Sequence, residues 1–253
     1  MSSILSDIKQ FLSQERQLFG DSMIVEPPRN SAAAEPRHNP LKTPEPELFS
    51  LPPAGPGPLT DEPWGQATSL ADLDSAICTC VKCSLGHTRI KFVFGVGNPH
   101  ATLMLVGEAP GADEDARGEP FVGRAGQLLN KILAAINFRR EDVYICNILK
   151  CRPPNNRQPQ PEEVDLCLPY LKKQIDLVKP KLILCLGLTA AQNMMQTTES
   201  LTRLRGRVLS YENVPLMVTY HPAALLRNPN FKQPTWQDVQ AARKLHDELV
   251  AKG

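Results

Sequence analysis

The sequence lacks the features that would place the protein in a membrane or outside the cell. It has no apolar run near the roughly 20 residues that cross a bilayer. Its first residues, MSSILSDIKQFLSQERQLFG, have neither a basic start nor a continuous apolar stretch, so no secretory signal is predicted. In such a chain, seven cysteines are more typical of metal ligands or buried apolar residues than of disulfides. We therefore predict a cytoplasmic protein.

A strong net charge is also absent, but the charges are unevenly distributed. The total is +1 at neutral pH. Residues 1–70 hold five Lys and Arg against nine Asp and Glu, whereas the remainder holds 23 against 18. A mildly basic body weakly favours an anionic partner, although many enzymes share this balance.

Two segments precede the regular pattern. Residues 3–19 place apolar side chains at roughly helical spacing, and residues 27–63 contain eleven of the 24 prolines. We predict residues 1–68 to be an N-terminal amphipathic helix plus a Pro-rich disordered tether, and residues 69–253 to be the folded domain. The helix is either a loosely attached terminal element or the docking site of a protein partner.

Strand-like and helical patterns alternate from residue 69 onward. Near-continuous apolar runs, typical of buried strands, lie at 101–106, 142–149, 181–187 and 214–220. Amphipathic helical patterns lie at 125–137, 161–178, 188–196 and 235–251. The alternation predicts an α/β fold with a parallel sheet covered on both faces.

Polar side chains stand near the ends of three of these strands. Glu108 and His221 lie just beyond the carboxyl ends of the first and fourth strands, and Asn147 lies near the end of the second. Because this edge of an open α/β sheet carries the functional site, we expect the three to converge there. The loop after the first strand, GEAPGADEDARGEPFVG, adds Phe121 to the same rim. Its carboxylates argue against a phosphate-binding loop, which would need lysine.

Four cysteines have the spacing of metal ligands. Cys80 and Cys83 form C-x2-C in a short polar segment, with Cys78 as a further candidate beside them. Cys151 lies in a Pro-rich loop, and Cys167 lies on a predicted helix. Four thiolates from two regions suit a structural zinc ion or an iron–sulfur cluster, and spacing alone leaves both open. The two cysteines inside predicted strands are expected to be buried apolar residues.

Four motifs make the sequence resemble a known family. GEAPGADEDARGEPFVGRAGQLL, NILKCRPPNNRQP, CLPYLKKQI and TYHPAALLRNP are similar, in this order, to motifs of the iron–sulfur uracil-DNA glycosylases called family 4. The resemblance spans about residues 78–250. It implies an α/β fold, the three-layer uracil-DNA glycosylase-like fold with a central four-stranded parallel sheet flanked by helices. It also implies a [4Fe–4S] cluster as cofactor, held by Cys80, Cys83, Cys151 and Cys167.

The resemblance further implies a pocket for one uracil that has been flipped out of DNA. Phe121 would stack on the base, and Asn147 matches the uracil edge, whose O4 accepts and N3 donates hydrogen bonds. His221 would donate to O2, where negative charge builds as the glycosidic bond breaks. The predicted uracil-binding residues are Glu108, Ala109, Phe121, Asn147 and His221.

Glu108, Glu114 and His221 are the predicted catalytic residues. A carboxylate can orient the attacking water or stabilise the cationic sugar, and the sequence leaves open which glutamate matters. Ala109 stands where related families carry Asp or Asn, which implies that no single strong base is present.

The predicted DNA contacts are basic residues that flank the rim and a leucine that would enter the DNA near the vacated base. The basic residues are Lys150, Arg152, Arg157 and Arg227. The leucine is Leu225 or Leu226.

The sequence thus predicts a monomeric, monofunctional repair glycosylase. It would act on uracil in single- or double-stranded DNA and leave an abasic site. Two alternatives stay open, namely a broader range of deaminated bases and a non-catalytic iron–sulfur DNA-binding module. A sibling group that binds DNA covalently carries a basic, His-containing insertion, which the run DARGEPFVG lacks.

Overall fold

The structure is a computed structural model and describes residues 62–252. The predicted N-terminal helix and nearly all of the Pro-rich segment lie outside this range, so those expectations stay predictions. Within the described range, no helix combines the length and the apolar character that a membrane crossing needs.

Six strands form one mixed sheet. They are β1 (Val96–Gly97), β2 (Leu103–Gly107), β3 (Tyr144–Asn147), β4 (Leu182–Leu186), β5 (Leu209–Tyr211) and β6 (Val214–Thr219). Their order across the sheet is β1-β3-β2-β4-β6-β5. The central strands β3, β2, β4 and β6 pair in parallel, whereas β1 and β5 pair antiparallel at the two edges.

The four predicted strands are therefore confirmed as the parallel centre, but the expected four-stranded sheet was incomplete. The two edge strands are only two and three residues long. Such short elements cannot show the apolar run or alternation by which a sequence reveals a strand. Every residue of β2 and β4 is buried, which explains why their sequences are continuously apolar.

Helices cover the sheet and carry the connections. They are α1 (Leu70–Ile77), α2 (Ala112–Arg117), α3 (Arg124–Ala135), α4 (Pro161–Val178), α5 (Leu188–Met195), α6 (Leu201–Leu204), α7 (Pro222–Arg227) and α8 (Lys232–Ala251). Short 3-10 turns lie at Pro63–Gln66, Ser84–His87, Arg140–Asp142, Pro154–Asn156 and Pro229–Phe231. The helices α3, α4, α5 and α8 confirm the four helical patterns to within three residues at each end.

Local signals explain where two of these helices begin. Ser69 accepts a hydrogen bond from the Asp72 N–H, and the Asp72 carboxylate accepts one from the Ser69 N–H, so α1 starts with a capping box. Helix α4 starts at Pro161, a residue suited to the first helical turn, and the Glu163 carboxylate caps the turn by accepting from the Gln160 N–H.

The core extends to residues before the predicted domain boundary at 68/69. Trp64 is buried and lies edge-on to Tyr170 of α4, with 4.9 Å between ring centroids. The indole N–H donates to Glu62. Residues near 64 thus pack against the same core as the sheet, although the division into two parts itself stays a prediction.

Candidate active site

The parallel strands end at a common edge, and a cleft of about 450 Å³ opens there. Glu108 follows β2, Asn147 ends β3 and His221 follows β6, and all three line the cleft. Phe121 lines it as well, from the loop between α2 and α3. The structure therefore brings the predicted rim residues together. Ala109, Glu114 and Arg227 are also among the lining residues.

Phe121 is held in a rarely used backbone conformation. Its φ of 53° lies in the left-handed region, which is costly for a bulky residue and is typical of functional sites. Its ring is buried and tilted 31° to the His221 ring, with 5.4 Å between centroids. Two glycines make this placement possible. A Cβ at Gly126 would overlap the Phe121 carbonyl, and one at Gly107 would lie 2.7 Å from Phe121 Cζ.

The Glu114 carboxylate organises the loop on one side of Phe121. Its Oε1 accepts from the N–H groups of Val122 and Gly123, at 2.9 and 3.0 Å. Its Oε2 accepts from the Gly111 N–H at 3.1 Å. Three backbone donors therefore occupy the two oxygens of this carboxylate.

Arg140 holds the same loop from the other side. Its guanidinium donates to the Phe121 carbonyl at 3.2 Å and also to the Pro120 carbonyl. Burial lowers the pKa of this guanidinium. Sequence reasoning missed Arg140, because it lies in a short turn before β3, far from Phe121 along the chain.

Asn147 lines the cleft and carries an unsatisfied acceptor. The residue is 2% exposed, and its Oδ1 has no hydrogen-bond partner among residues 62–252. Buried polar atoms are nearly always paired, so an orphaned oxygen on a cleft wall indicates a missing donor from a ligand. The absence of a side chain at Gly107, on the neighbouring strand, makes room for this oxygen, because a Cβ at Gly107 would overlap Asn147 Oδ1.

His221 is fixed as a neutral hydrogen-bond donor. Its Nδ1 accepts from the Ala223 N–H at 3.1 Å, so the ring proton is assigned to Nε2. Burial lowers the pKa of His221 to about 4, and the charge of Arg227 lowers it further, against an opposing effect of Glu114. Gly187, with φ of 101°, allows the main chain after β4 to approach His221 closely, because a Cβ at this position would lie 3.0 Å from His221 Cβ.

The structure corrects two of the predicted DNA contacts. Lys150 is completely buried, and its ammonium donates to the Asn147 carbonyl at 2.7 Å and to Gln174 Oε1 at 2.6 Å. It therefore cannot reach a phosphate. Leu225 is 1% exposed and packs inward, whereas Leu226 is 42% exposed. Helical periodicity in α7 turns the first leucine to the core and leaves the second at the surface.

The remaining predicted cations lie at the surface, with different partners. Both terminal nitrogens of Arg157 donate to the buried carboxylate of Glu163, at 2.9 and 2.6 Å. The Arg152 Nε donates to Asn156 Oδ1 at 2.8 Å. Arg227 is exposed and lines the cleft.

Asn156 also lines the cleft and was missed from the sequence. It follows Asn155, and both residues have φ of 54°, so the chain reverses its direction at this pair. Asn tolerates the left-handed region better than other non-glycine residues, so the Asn-Asn pair in PPNNR was the available signal for the turn.

The four predicted cysteine ligands lie in one region of the core. Cys151 and Cys167 are buried, and Cys80 and Cys83 are half-buried and pack against the same core. Cys78 is exposed. Within the described residues, no three His, Cys, Asp or Glu side chains are arranged to hold a metal ion.

Neighbouring polar groups approach these sulfur atoms. Arg89 donates to Cys151 Sγ at 3.4 Å, and the Tyr170 hydroxyl lies 3.3 Å from Cys80 Sγ. Burial raises the pKa of Cys151 to about 11 and that of Cys167 to about 12. The thiols also raise one another's pKa, with Cys80 and Cys83 acting on Cys151 and Cys83 acting on Cys167. Their charges would therefore interact directly.

The fold and the cleft define the class of protein. The family model described as the uracil DNA glycosylase superfamily matches residues 94–240, which include every cleft residue discussed above. The chain is 46% identical over 185 residues to the type-4 uracil-DNA glycosylase of Archaeoglobus fulgidus, covering 70% of this chain and 93% of the relative. It is 42% identical over 168 residues to that of Thermotoga maritima, covering 65% and 88%. A type-5 uracil-DNA glycosylase of Pyrobaculum aerophilum is 32% identical over 146 residues, covering 51% and 64%. The chain belongs to the type-4 uracil-DNA glycosylases.

Proposed function

We propose that the protein removes uracil from DNA by hydrolysing its N-glycosidic bond, so that free uracil and an abasic site result. The observation that carries this proposal is the orphaned Oδ1 of Asn147, a residue that lines a cleft together with a buried aromatic ring and a neutral imidazole donor. A uracil base supplies the missing donor through N3–H. It also supplies a planar face for Phe121 and an acceptor, O2, for His221.

Base selection follows from the polarity of the Asn147 side chain. Its carbonyl accepts from uracil N3–H and its amide donates to O4. Cytosine carries an acceptor at N3 and a donor at C4, so both contacts would be lost and buried polar atoms would face each other unpaired. A site built on hydrogen bonds rejects such an analogue far more strongly than an apolar pocket can.

His221 acts where charge develops. When the bond between C1′ and N1 breaks, its electron pair stays with uracil and spreads over N1 and O2. The Nε2–H donor at O2 interacts more strongly with this anion than with the intact base, so it stabilises the transition state selectively. A neutral ring serves this role without holding an extra charge beside the cationic sugar.

The two glutamates are assigned different tasks. Glu114 holds the Phe121 loop through three backbone N–H groups. Glu108 lines the cleft directly after β2 and is the carboxylate that we place beside the sugar, where it stabilises the oxocarbenium ion and orients the water that attacks C1′. Its position next to Ala109 leaves room for that water.

DNA is held around the cleft rather than inside it. Flipping the nucleotide out of the duplex costs a few kcal/mol of lost stacking and base-pairing free energy. Arg227 neutralises phosphate at the rim, and the exposed Leu226 takes the place of the extruded base.

Monomeric state, cytoplasmic location and a protein partner for the N-terminal helix stay predictions.

A [4Fe–4S] cluster accounts for the cysteine region. The donor set consists of four thiols in one partly buried site, and one of them, Cys151, accepts a hydrogen bond from Arg89. A four-iron cluster takes one thiolate on each iron, so its ligands need not converge on a single point. Cys80, Cys83, Cys151 and Cys167 would hold it, and it would supply a cross-link between two distant parts of the chain.

Replacing Cys151 with Ala is expected to remove the cluster and its brown colour and to lower the melting temperature by roughly 10 °C or more, because bound metal contributes directly to folding. Visible absorbance, iron content and thermal unfolding measure this. Cys78→Ala is the matched control, since this neighbouring thiol is exposed, and it should keep colour and stability. A stable, colourless and fully active Cys151→Ala protein would refute the assignment.

Arg140→Met is expected to lower kcat/KM for uracil-containing DNA about ten- to a hundredfold, because the Phe121 loop loses one of its two supports and the stacking ring is misplaced. Arg139→Met is the control, since Arg139 is exposed and pairs with Glu141 and Asp142 at the surface. Equal activity of the two variants would show that Arg140 does not position the loop.

A glycosylase assay tests the proposed function. Cluster-loaded protein is incubated with labelled oligonucleotides that carry U:G, U:A, single-stranded U or matched T, and half of each sample is then treated with alkali. Cleavage at uracil only, and only after alkali, is expected. Absence of cleavage from brown protein would favour a non-catalytic DNA-binding module, and release of other deaminated bases would broaden the substrate range. Nicking without alkali would exclude a monofunctional enzyme.

A further inference from the structure

Lys150 is a fully buried cation between the uracil cleft and the cysteine region. It is 0% exposed and is one of the largest fully buried side chains of the described residues. Lys is almost never buried in this way unless it is paired. Among residues 62–252, however, no carboxylate lies within ion-pair distance of its ammonium, which donates instead to two neutral oxygens.

The first of these oxygens belongs to the cleft. The ammonium donates to the main-chain carbonyl of Asn147, at 2.7 Å. Asn147 is the last residue of β3. Its carbonyl therefore lies at the end of the strand, on the same residue whose side chain is proposed to bind the base. A charged donor on this carbonyl fixes the peptide from which the Asn147 side chain projects.

The second oxygen belongs to a rigid part of α4. Gln174 Oε1 accepts from Lys150 at 2.6 Å, while Gln174 Nε2 donates to the Phe94 carbonyl at 3.0 Å and to the Tyr144 hydroxyl at 3.1 Å. Gln174 is completely buried. Because all of its polar atoms are engaged, the amide cannot rotate, and it holds the ammonium in one position.

The same helix carries a cysteine ligand. Cys167 and Gln174 are seven residues apart on α4, which is two turns, so both face Lys150. The backbone N–H of Lys150 lies beside the Cys167 thiol. Lys150 also directly precedes Cys151 in the chain. A cluster on these cysteines would carry negative charge and would supply the counter-ion that the buried ammonium lacks among residues 62–252.

We propose that Lys150 is a positioning residue for uracil recognition, which fixes the Asn147 peptide at the cleft and is itself charge-balanced by the cluster. The inference rests on the proposed function of the cleft. It gives the cluster a definite link to the base pocket, since loss of the cluster leaves an uncompensated cation directly behind Asn147. It also explains why a lysine beside the rim is turned inward instead of contacting DNA.

A double-mutant cycle tests the positioning role. We expect Lys150→Met to lower kcat/KM on uracil-containing DNA about tenfold or more, but less than about threefold when Asn147 is already Ala, because contacting residues couple in this range. A purely structural role would lower activity by the same factor in both backgrounds, and that result would overturn the proposal. Gln174→Met, which removes the other partner, provides the same test if Lys150→Met does not fold.

The cluster supplies a readout that is independent of activity. Removing a cation from its neighbourhood disfavours the reduced, more negative state, so Lys150→Met should shift the reduction potential to more negative values. Lys179→Met, which changes an exposed lysine at the end of α4, should leave it unchanged. An unchanged potential in Lys150→Met would contradict the charge balance. If wild-type protein releases no uracil, the proposed function fails; if it does and the cycle is additive, only this inference fails.

Discussion

Asn147→Ala should lower kcat/KM for uracil-containing DNA by about 10²–10³-fold. The variant removes the acceptor for N3–H and the donor for O4, so two polar atoms of the buried base are left unpaired, at about 1–3 kcal/mol each. The oxygen concerned has no partner within the described residues, so its removal breaks no hydrogen bond of the free protein. The loss should therefore appear in activity and not in stability.

Single-turnover rates on uracil- and cytosine-containing oligonucleotides measure this effect. The preference for uracil over cytosine should fall along with the rate, because the discriminating group is gone. Asn193→Ala serves as the control, since the Asn193 amide donates to the Thr189 carbonyl within α5 and does not line the cleft. Unchanged discrimination in Asn147→Ala would place base selection elsewhere.

His221→Ala should lower kcat by about 10²–10³-fold with little change in KM, because a donor to a developing anion acts mainly in the transition state. His246→Ala is a matched control. His246 is a buried residue of α8 whose Nε2 lies 2.8 Å from the Thr102 hydroxyl, and it is not part of the cleft lining. That variant should lose stability but keep its rate of uracil release. Equal losses of rate in the two variants would contradict the assignment of His221.

The pH dependence follows from the depressed pKa of His221. Since its pKa falls from 6.5 to about 4 on folding, the ring stays neutral through the physiological range, and the rate should not titrate with this group between about pH 5.5 and 8. Below pH 6.5 the unfolded chain binds a proton that the folded chain does not. This group should therefore reduce stability progressively as pH falls from 6.5 towards 4. A rate that drops as pH rises through 6.5 would indicate a charged imidazole instead.

The parallel centre of the sheet could be predicted because its strands are buried on both faces. Their sequences are continuously apolar, and the helices between them keep an amphipathic period, so both element types leave a direct signal. The edge strand β1 consists of Val96 and Gly97 and forms by pairing with β3, which is a tertiary contact. No local pattern of two residues can report such a contact.

The position of the cleft could be predicted, because functional sites of open α/β sheets lie beyond the carboxyl ends of the parallel strands. This expectation depends on topology and not on side-chain orientation. Predictions that depended on orientation were less successful. Lys150 and Leu225 stand at plausible positions in the chain, yet both point inward, one to Gln174 and one to the core. Arg140 was missed for a related reason, since its contact with Phe121 joins residues that are distant in sequence.

The most direct test of the account compares two oligonucleotides that differ by one methyl group, one with uracil and the other with 3-methyluracil at the same position. The methyl group removes the N3–H donor that Asn147 Oδ1 is proposed to accept, while the glycosidic bond and the surrounding DNA are unchanged. Cluster-loaded protein should release uracil at least about 100-fold faster than 3-methyluracil under single-turnover conditions. Release of both bases at the same rate would contradict the claim that the orphaned oxygen of Asn147 recognises the uracil edge.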